Sequence, residues 1–224
     1  VNPPMAVGAV PLAVYMEWRS RRQQRPPLDH LAKRITFVYF IIATSLGAMT
    51  GVGIWFTTAM VNPDAIGSLL RIFFWAWFFE WIVFVVEVAL ILWYYLSWKP
   101  LGHVKKTRHM KVGLWLAIFS WFTMMIITAI LAFMMDPGAW EPHLHQWSPQ
   151  SNMLTAFFNP LYWPQLAFRT PFALMAAGLF FLFLTPFFTK KNSDTRRRAV
   201  RMFSAWTLIF LPLTAAAGLW YWKK

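Results

Sequence analysis

The stretch "FFEWIVFVVE", residues 78–87, sets two carboxylates inside one of the most apolar parts of the chain. An ionised carboxylate at the centre of a bilayer costs about 2.5–3.5 kcal/mol on translocon-type scales. Glu80 and Glu87 must therefore be neutral or met by specific partners. They are seven residues apart, which returns to nearly the same helix face about 10 Å further along the axis. Two carboxylates on one stripe at different depths can carry protons, face a metal or haem cofactor, or pair with buried basic groups. The plainer alternative is a protonated side chain hydrogen-bonded to a neighbouring helix. Counted inward from the preceding outer loop, Glu80 is expected near mid-membrane and Glu87 nearer the opposite side.

Arg71, nine residues before Glu80, is expected at the outer end of the same helix, and Arg169 at the outer end of the fifth span. Both can snorkel to headgroups, or bind haem propionates or a quinone headgroup. The histidines are His30, His103, His109, His143 and His145, and none falls in mid-span, which weakens the case for a histidine-ligated haem in this chain. His143 and His145, two apart, would not share a helix face. His109 opens the fourth span and is expected to be solvated or to cap its helix. "GAMTG", Gly47 to Gly51, has the spacing that lets membrane helices approach closely.

The elements that must hold these residues follow from composition. Of 224 residues, 58% are apolar and only 13% charged, in apolar runs too long for a soluble core. This predicts an all-α polytopic transmembrane bundle, one membrane domain over residues 1–224. Five complete spans are expected at about 35–60, 69–98, 112–135, 166–188 and 203–222. Residues 3–18 are expected to be a partial N-terminal span, since the sequence opens with Val in mid-hydrophobic register. The run 69–98 exceeds the roughly 20 residues a crossing needs, so one tilted or projecting helix is expected. Pro171, Pro186 and Pro212 fall inside spans, where neighbouring helices can accommodate them.

The net charge of +13 is not that of a nucleic-acid binder, because the basic residues sit between apolar segments and not on a folded polar surface. Arg19, Arg21, Arg22, Arg25, Lys33 and Arg34 form one cluster. Lys99, Lys105, Lys106, Arg108 and Lys111 form a second. Lys190, Lys191, Arg196, Arg197, Arg198 and Arg201 form a third. These hold 17 of the 21 basic residues and fall in alternate connections, 19–34, 99–111 and 189–201. The positive-inside rule makes that side cytoplasmic and predicts a multi-pass protein of a bacterial-type inner membrane. The outer loop, 136–165, has no Lys or Arg and holds a short helix expected near Ser148, with Pro149 at its first position. The chain has no cysteine, which excludes disulfides and covalent c-type haem attachment within it.

Four segments taken in order, "SLGAMTGVGIWFT", "FFEWIVFVVE", "HMKVGLWLAIFSWFTMMIITAILAFMMDP" and "FFNPLYWPQLAFRT", resemble the first half of subunit I of cytochrome bd-type quinol oxidases. The resemblance covers roughly residues 5–205 and implies non-covalent b-type haem and quinone as cofactors. It also implies that Glu80 contacts a high-spin b haem and that Glu87 lies on a proton path. Departures from the family pattern matter too. The haem-ligating histidine of the first helix would fall before Val1, and Arg169 stands where another axial histidine is expected. The glutamates are seven apart instead of eight, and the quinol-binding loop and later helices are not in the sequence. The pattern is closer to divergent bd-like subunits of multi-component respiratory complexes, with other membrane subunits and a c-type cytochrome as partners. Three functions are in play. One is quinol- and haem-linked electron transfer with proton movement through the glutamate pair. Another is a cofactor-free anchor or assembly subunit of such a complex. The third, a small transporter, is disfavoured by the lack of repeat symmetry.

Overall fold

In hydrocarbon every backbone N–H and C=O must be satisfied internally, so the long apolar runs have to become helices. The computed structural model describes residues 2–24, 26–98, 106–136, 138, 140–141, 146–147 and 153–224. Among them are α1 (Asn2–Arg22), α2 (Pro26–Val61), α3 (Pro63–Ile72), α4 (Phe74–Leu96) and α5 (Lys106–Met135). A two-residue strand pair follows, β1 (Trp140–Glu141) and β2 (Gln146–Trp147), antiparallel with Trp140 opposite Trp147. The chain closes with α6 (Met153–Phe157), α7 (Tyr162–Phe188) and α8 (Asp194–Trp222). The fold is all-α, as expected.

Among the described residues, four helices are long and apolar enough to cross a membrane: Phe74–Leu96, Thr107–Met135, Tyr162–Phe188 and Asp194–Trp222. These are four of the five complete spans expected. The fifth, 35–60, lies within α2, whose 36 residues rise about 54 Å. "GAMTG" is in α2, but its side-chain surroundings lie outside the described residues, as do His103, His143, His145 and the segment 148–152 where the outer-loop helix was expected. The short helix described in that loop is α6. Helices α7 and α8 run unbroken past Pro171, Pro186 and Pro212.

One expectation fails. The run 69–98 is not a single helix: it divides at Phe73, whose backbone lies at φ −105°, ψ 23°. Pro63 at the first position and Asp64 in the first turn start α3 early, as the missing N–H and the helix dipole favour. The Phe73 ring is fully buried, edge-on to Phe133 of α5 at 5.0 Å. Arg71 therefore belongs to α3, on the far side of the break from Glu80.

The centre of the bundle is α1, which packs on α2, α5 and α7 and buries Val10, Leu12, Ala13 and Met16. Small residues allow this. A β-carbon added at Gly8 would run into the carbonyl of Ala173 and the side chain of Ala177 on α7. At Gly113 of α5 it would meet Val14 and Tyr94. Such contacts are how membrane helices gain packing energy when lipid is as apolar as their side chains.

The basic segments converge on one end of the bundle. Arg21 of α1 hydrogen-bonds Thr107 of α5, Trp98 donates to Asp29 of α2 at 3.4 Å, and His30 and Arg34 share a cleft with Lys190 and Ser193. At the other end Asn159 ties the outer loop to α5, donating to the carbonyl of Ala129 at 3.1 Å.

The α1–α7 approach carries a prediction. Gly8→Val forces two backbones apart and should cost about 1–3 kcal/mol, read as a lowered thermal midpoint of the detergent-purified protein. Gly53→Ala, at a position with nothing within 4 Å of the added carbon, should leave the midpoint unchanged. Equal midpoints for the two variants would contradict the close approach.

Candidate functional site

Helix α4 lies at the margin of the bundle, and only Ala76, Glu87 and Tyr94 on it are buried. Its aromatic residues Trp75, Phe79, Trp81, Phe84 and Trp93 face away from the chain. Two of the three inward positions are thus polar, and they are one heptad apart. With α4 beginning at Phe74, Glu80 is about 9 Å and Glu87 about 20 Å from its start. Within the helix that starts after the break at Phe73, Glu87 is nearer mid-height than Glu80.

Glu87 is met by α5. Ser120 donates its hydroxyl to one carboxylate oxygen at 2.6 Å and Thr123 to the other at 3.1 Å. Three residues apart on a helix, these two hydroxyls share a face. The Thr123 hydroxyl also lies 3.2 Å from the carbonyl of Phe119, so its single hydrogen has two acceptors. When Glu87 is ionised, both hydroxyls can donate to it. When Glu87 takes a proton, Thr123 can turn its hydrogen to Phe119 and accept one from the acid. The site serves both protonation states without moving a helix.

Glu80 is half-buried and has no hydrogen-bond partner among the described residues, though it lies within electrostatic reach of Glu87. The other two residues expected at a cofactor do not join it. Arg71 is exposed on α3, and Arg169 is half-buried on α7 within electrostatic reach of Tyr221 of α8. Neither forms an ion pair with either glutamate among the described residues. Among the described residues, no histidine is brought to the two glutamates as a haem ligand. Of the described histidines, His30 is exposed and His109 stacks on Tyr94 at the basic end, so neither meets Glu80 or Glu87. Glu80 alone is open toward the outside of α4.

Sequence reasoning missed a second polar cluster, at the basic end. Glu17 of α1 and His109 of α5 are both buried, with Oε2 3.2 Å from Nε2. The Tyr94 hydroxyl donates to the other Glu17 oxygen, and the Tyr94 ring stacks on His109 at 4.4 Å, 9° from parallel. Ser97 Oγ lies 3.0 Å from His109 Nδ1, and Trp98 meets the imidazole edge at 4.9 Å. This corrects the expectation of a solvated or capping His109. Glu17 ends an apolar run beside Arg19, so it reads as interfacial, and only the packing of α1 at the centre buries it. The available signal was Tyr94, which continues the seven-residue spacing of Glu80 and Glu87.

Comparison with known proteins fits this geometry into a wider frame. A family model described as cytochrome bd terminal oxidase subunit I matches residues 1–223. Among solved structures, the bd oxidase from Geobacillus thermodenitrificans superposes with a TM-score of 0.81 at 20% identity, covering 97% of this chain and 50% of that one. At that identity the likeness is one of fold, and the chain spans half the length of the solved chain. No curated protein sequence matches the chain. With the family model matched from its first residue to its last but one, the chain belongs to the cytochrome bd terminal oxidase subunit I family.

Proposed function

We propose that this chain is a bd-type membrane subunit of a respiratory complex, in which quinol-linked electron transfer is coupled to proton movement through Glu87 and Glu80. The observation that carries the reading is the setting of Glu87: an inward-facing carboxylate near mid-height of α4, held by two hydroxyls that can serve it charged or neutral. Family membership supplies the respiratory context. Glu80, open on the flank of α4, faces what the assembly places there, a b-type haem or a polar group of a partner. Glu80 would be the residue of this chain to hold a haem at that flank, where the haem would supply electron transfer. Arg71 and Arg169, at the end opposite the basic segments, are suited to anionic groups such as propionates or headgroups. Other membrane subunits and a c-type cytochrome complete the assembly.

In the assembled complex, Glu87→Gln should slow quinol-linked proton uptake by about 10²-fold, the scale lost with a positioned proton-transfer group. A pH-sensitive dye beside a quinol-oxidation assay measures it, and an unchanged uptake rate sinks the proposal.

A second reading, a cofactor-free anchor or assembly subunit, is favoured by the donor set, in which no histidine among the described residues meets Glu80 or Glu87. Reduced-minus-oxidised spectra of the complex separate the two. The first reading expects a b-type band that moves with Glu80→Gln; the anchor reading expects every band to stay in place. Haem staining of the separated subunits should mark a c-type partner and leave this chain unstained.

We infer that residues 19–34, 99–111 and 189–201 face the cytoplasm across a bacterial inner membrane, a reading supported by their basic composition and the positive-inside rule. The natural lack of cysteine gives a direct check. A cysteine at Lys191 should react with a membrane-impermeant thiol reagent only in inverted vesicles, and one at Gly138 only in intact spheroplasts. The opposite pattern reverses the orientation.

A further inference from the structure

The seven-residue step that puts Glu80 and Glu87 on one stripe of α4 is repeated once more, at Tyr94. Each step advances about 10 Å, so the three residues run from the outer third of α4 to its basic end. Glu87 and Tyr94 are two of the three buried positions on that helix. At the basic end Tyr94 donates to Glu17, and Glu17 pairs with His109. The imidazole is linked through Nδ1 to Ser97, which is only partly buried. A carboxylate, an imidazole and a phenol in contact and buried, beside a partly exposed serine hydroxyl, form a set through which a proton can be passed.

The gap between Tyr94 and Glu87 is flanked by α2. Tyr39 is 2% exposed, and its hydroxyl has no hydrogen-bond partner among the described residues. It lies within electrostatic reach of Glu87. Phe40, the next residue, meets the Tyr94 ring edge-on at 6.3 Å, so this part of α2 runs beside α4 near Tyr94. Thr36, one turn toward the basic end, is buried with its hydroxyl likewise without a partner among the described residues. A buried hydroxyl left unpaired costs about 1–3 kcal/mol, and sites with several such groups are where proteins hold internal water.

We propose that the Glu17–His109 pair is a proton-exchange site at the basic end of the bundle, delivering protons to Glu87 by way of Tyr94 and Tyr39. This rests on the reading of Glu87 as a proton carrier. A proton arriving past Ser97 binds His109 at Nδ1, and the proton on Nε2 passes to Glu17. The Glu17 acid gives its proton to the Tyr94 oxygen as Tyr94 releases its own hydroxyl hydrogen, through internal water, to the Tyr39 oxygen, and Tyr39 in turn releases its hydrogen to Glu87. One proton moves inward, no electron moves, and no phenolate is left behind. The titratable and charged groups around His109 are Glu17 from α1, Asp29 from α2 and Tyr94 from α4; Asp29 accepts from Trp98 and acts electrostatically on Tyr94. Imidazole is the side chain suited to taking and returning a proton near neutral pH.

The test uses the complete complex in proteoliposomes, with proton uptake followed by dye after a pulse of quinol. Glu17→Gln should slow uptake by about 10²-fold, and Tyr94→Phe, which keeps the ring and its stacking, by a smaller factor. His109→Gln should also flatten the dependence of the uptake rate on pH across neutrality. Glu87→Gln is measured beside them. If it stops uptake while Glu17→Gln and Tyr94→Phe keep both the wild-type rate and the wild-type pH profile, this inference falls and the role of Glu87 stands. If Glu87→Gln also leaves uptake unchanged, the underlying reading falls with it. If Glu17→Gln prevents assembly, Tyr94→Phe and His109→Gln decide by the same criteria. A slowed rate with lowered thermal stability and an unmoved pH profile would make the cluster purely structural and overturn the proposal.

Discussion

A carboxylate can remain inside a membrane bundle only if the loss of water is offset by donors already in place. At Glu87 that condition is met within this chain. The penalty for an acidic group at mid-membrane is about 2.5–3.5 kcal/mol on translocon scales, and a hydrogen bond to a charged group contributes about 1.5–3 kcal/mol. Two such bonds, from Ser120 and Thr123, offset part of that penalty without a buried cation. The alternative acceptor at Phe119 makes the neutral state equally easy to house. The fit of both states to one geometry suits proton exchange better than permanent structure, for which a single well-satisfied state is enough.

The rest of the bundle is arranged to keep that contact in register. In lipid, large apolar side chains gain little by turning inward, so helix contacts are made by small residues and by hydrogen bonds. That is the pattern here: Gly8 against Ala173 and Ala177, Gly113 against Tyr94, and Gly178 against Thr207. Gly113 matters most to the site, because it lets α5 approach α4 closely enough for Ser120 and Thr123 to reach Glu87. The large rings of α4 point outward, where lipid or another subunit receives them. A hydrophobic exterior around a largely apolar interior that still houses polar groups such as Glu87, Ser120 and Thr123 follows from the solvent.

Much of this architecture was legible in the sequence, for a physical reason. A helix that crosses hydrocarbon must be apolar along its whole length, so runs such as 112–135 and 203–222 announce themselves without tertiary information. The Glu80–Glu87 stripe was legible too, because a period of seven on one helix is a local property. What escaped was set by packing between helices distant in sequence. No Gly or Pro marks Phe73, and the break there depends on a pocket formed with Phe133 of α5. Glu17 and His109 each stand beside basic residues, where hydropathy places them at the water boundary. That they are buried against one another depends on α1 running through the middle of the bundle, and no one-dimensional pattern encodes centrality.

The two glutamates, alike in sequence, are unlike in surroundings. Glu87 draws its partners from α5 and is complete within this chain, whereas Glu80 has none among the described residues and sits on the flank that α4 presents outward. A pair of acids so placed cannot be equivalent stations: the inner one is poised by fixed hydroxyls, and the outer one takes its properties from whatever covers α4. Under the proposed function assembly becomes part of the chemistry, because the group packed against Glu80 would decide whether a proton at Glu87 has somewhere to go. On this logic the chain alone is a half-built conduit, with its inner section set by α1, α2, α4 and α5 and its outlet formed only when the complex closes over α4.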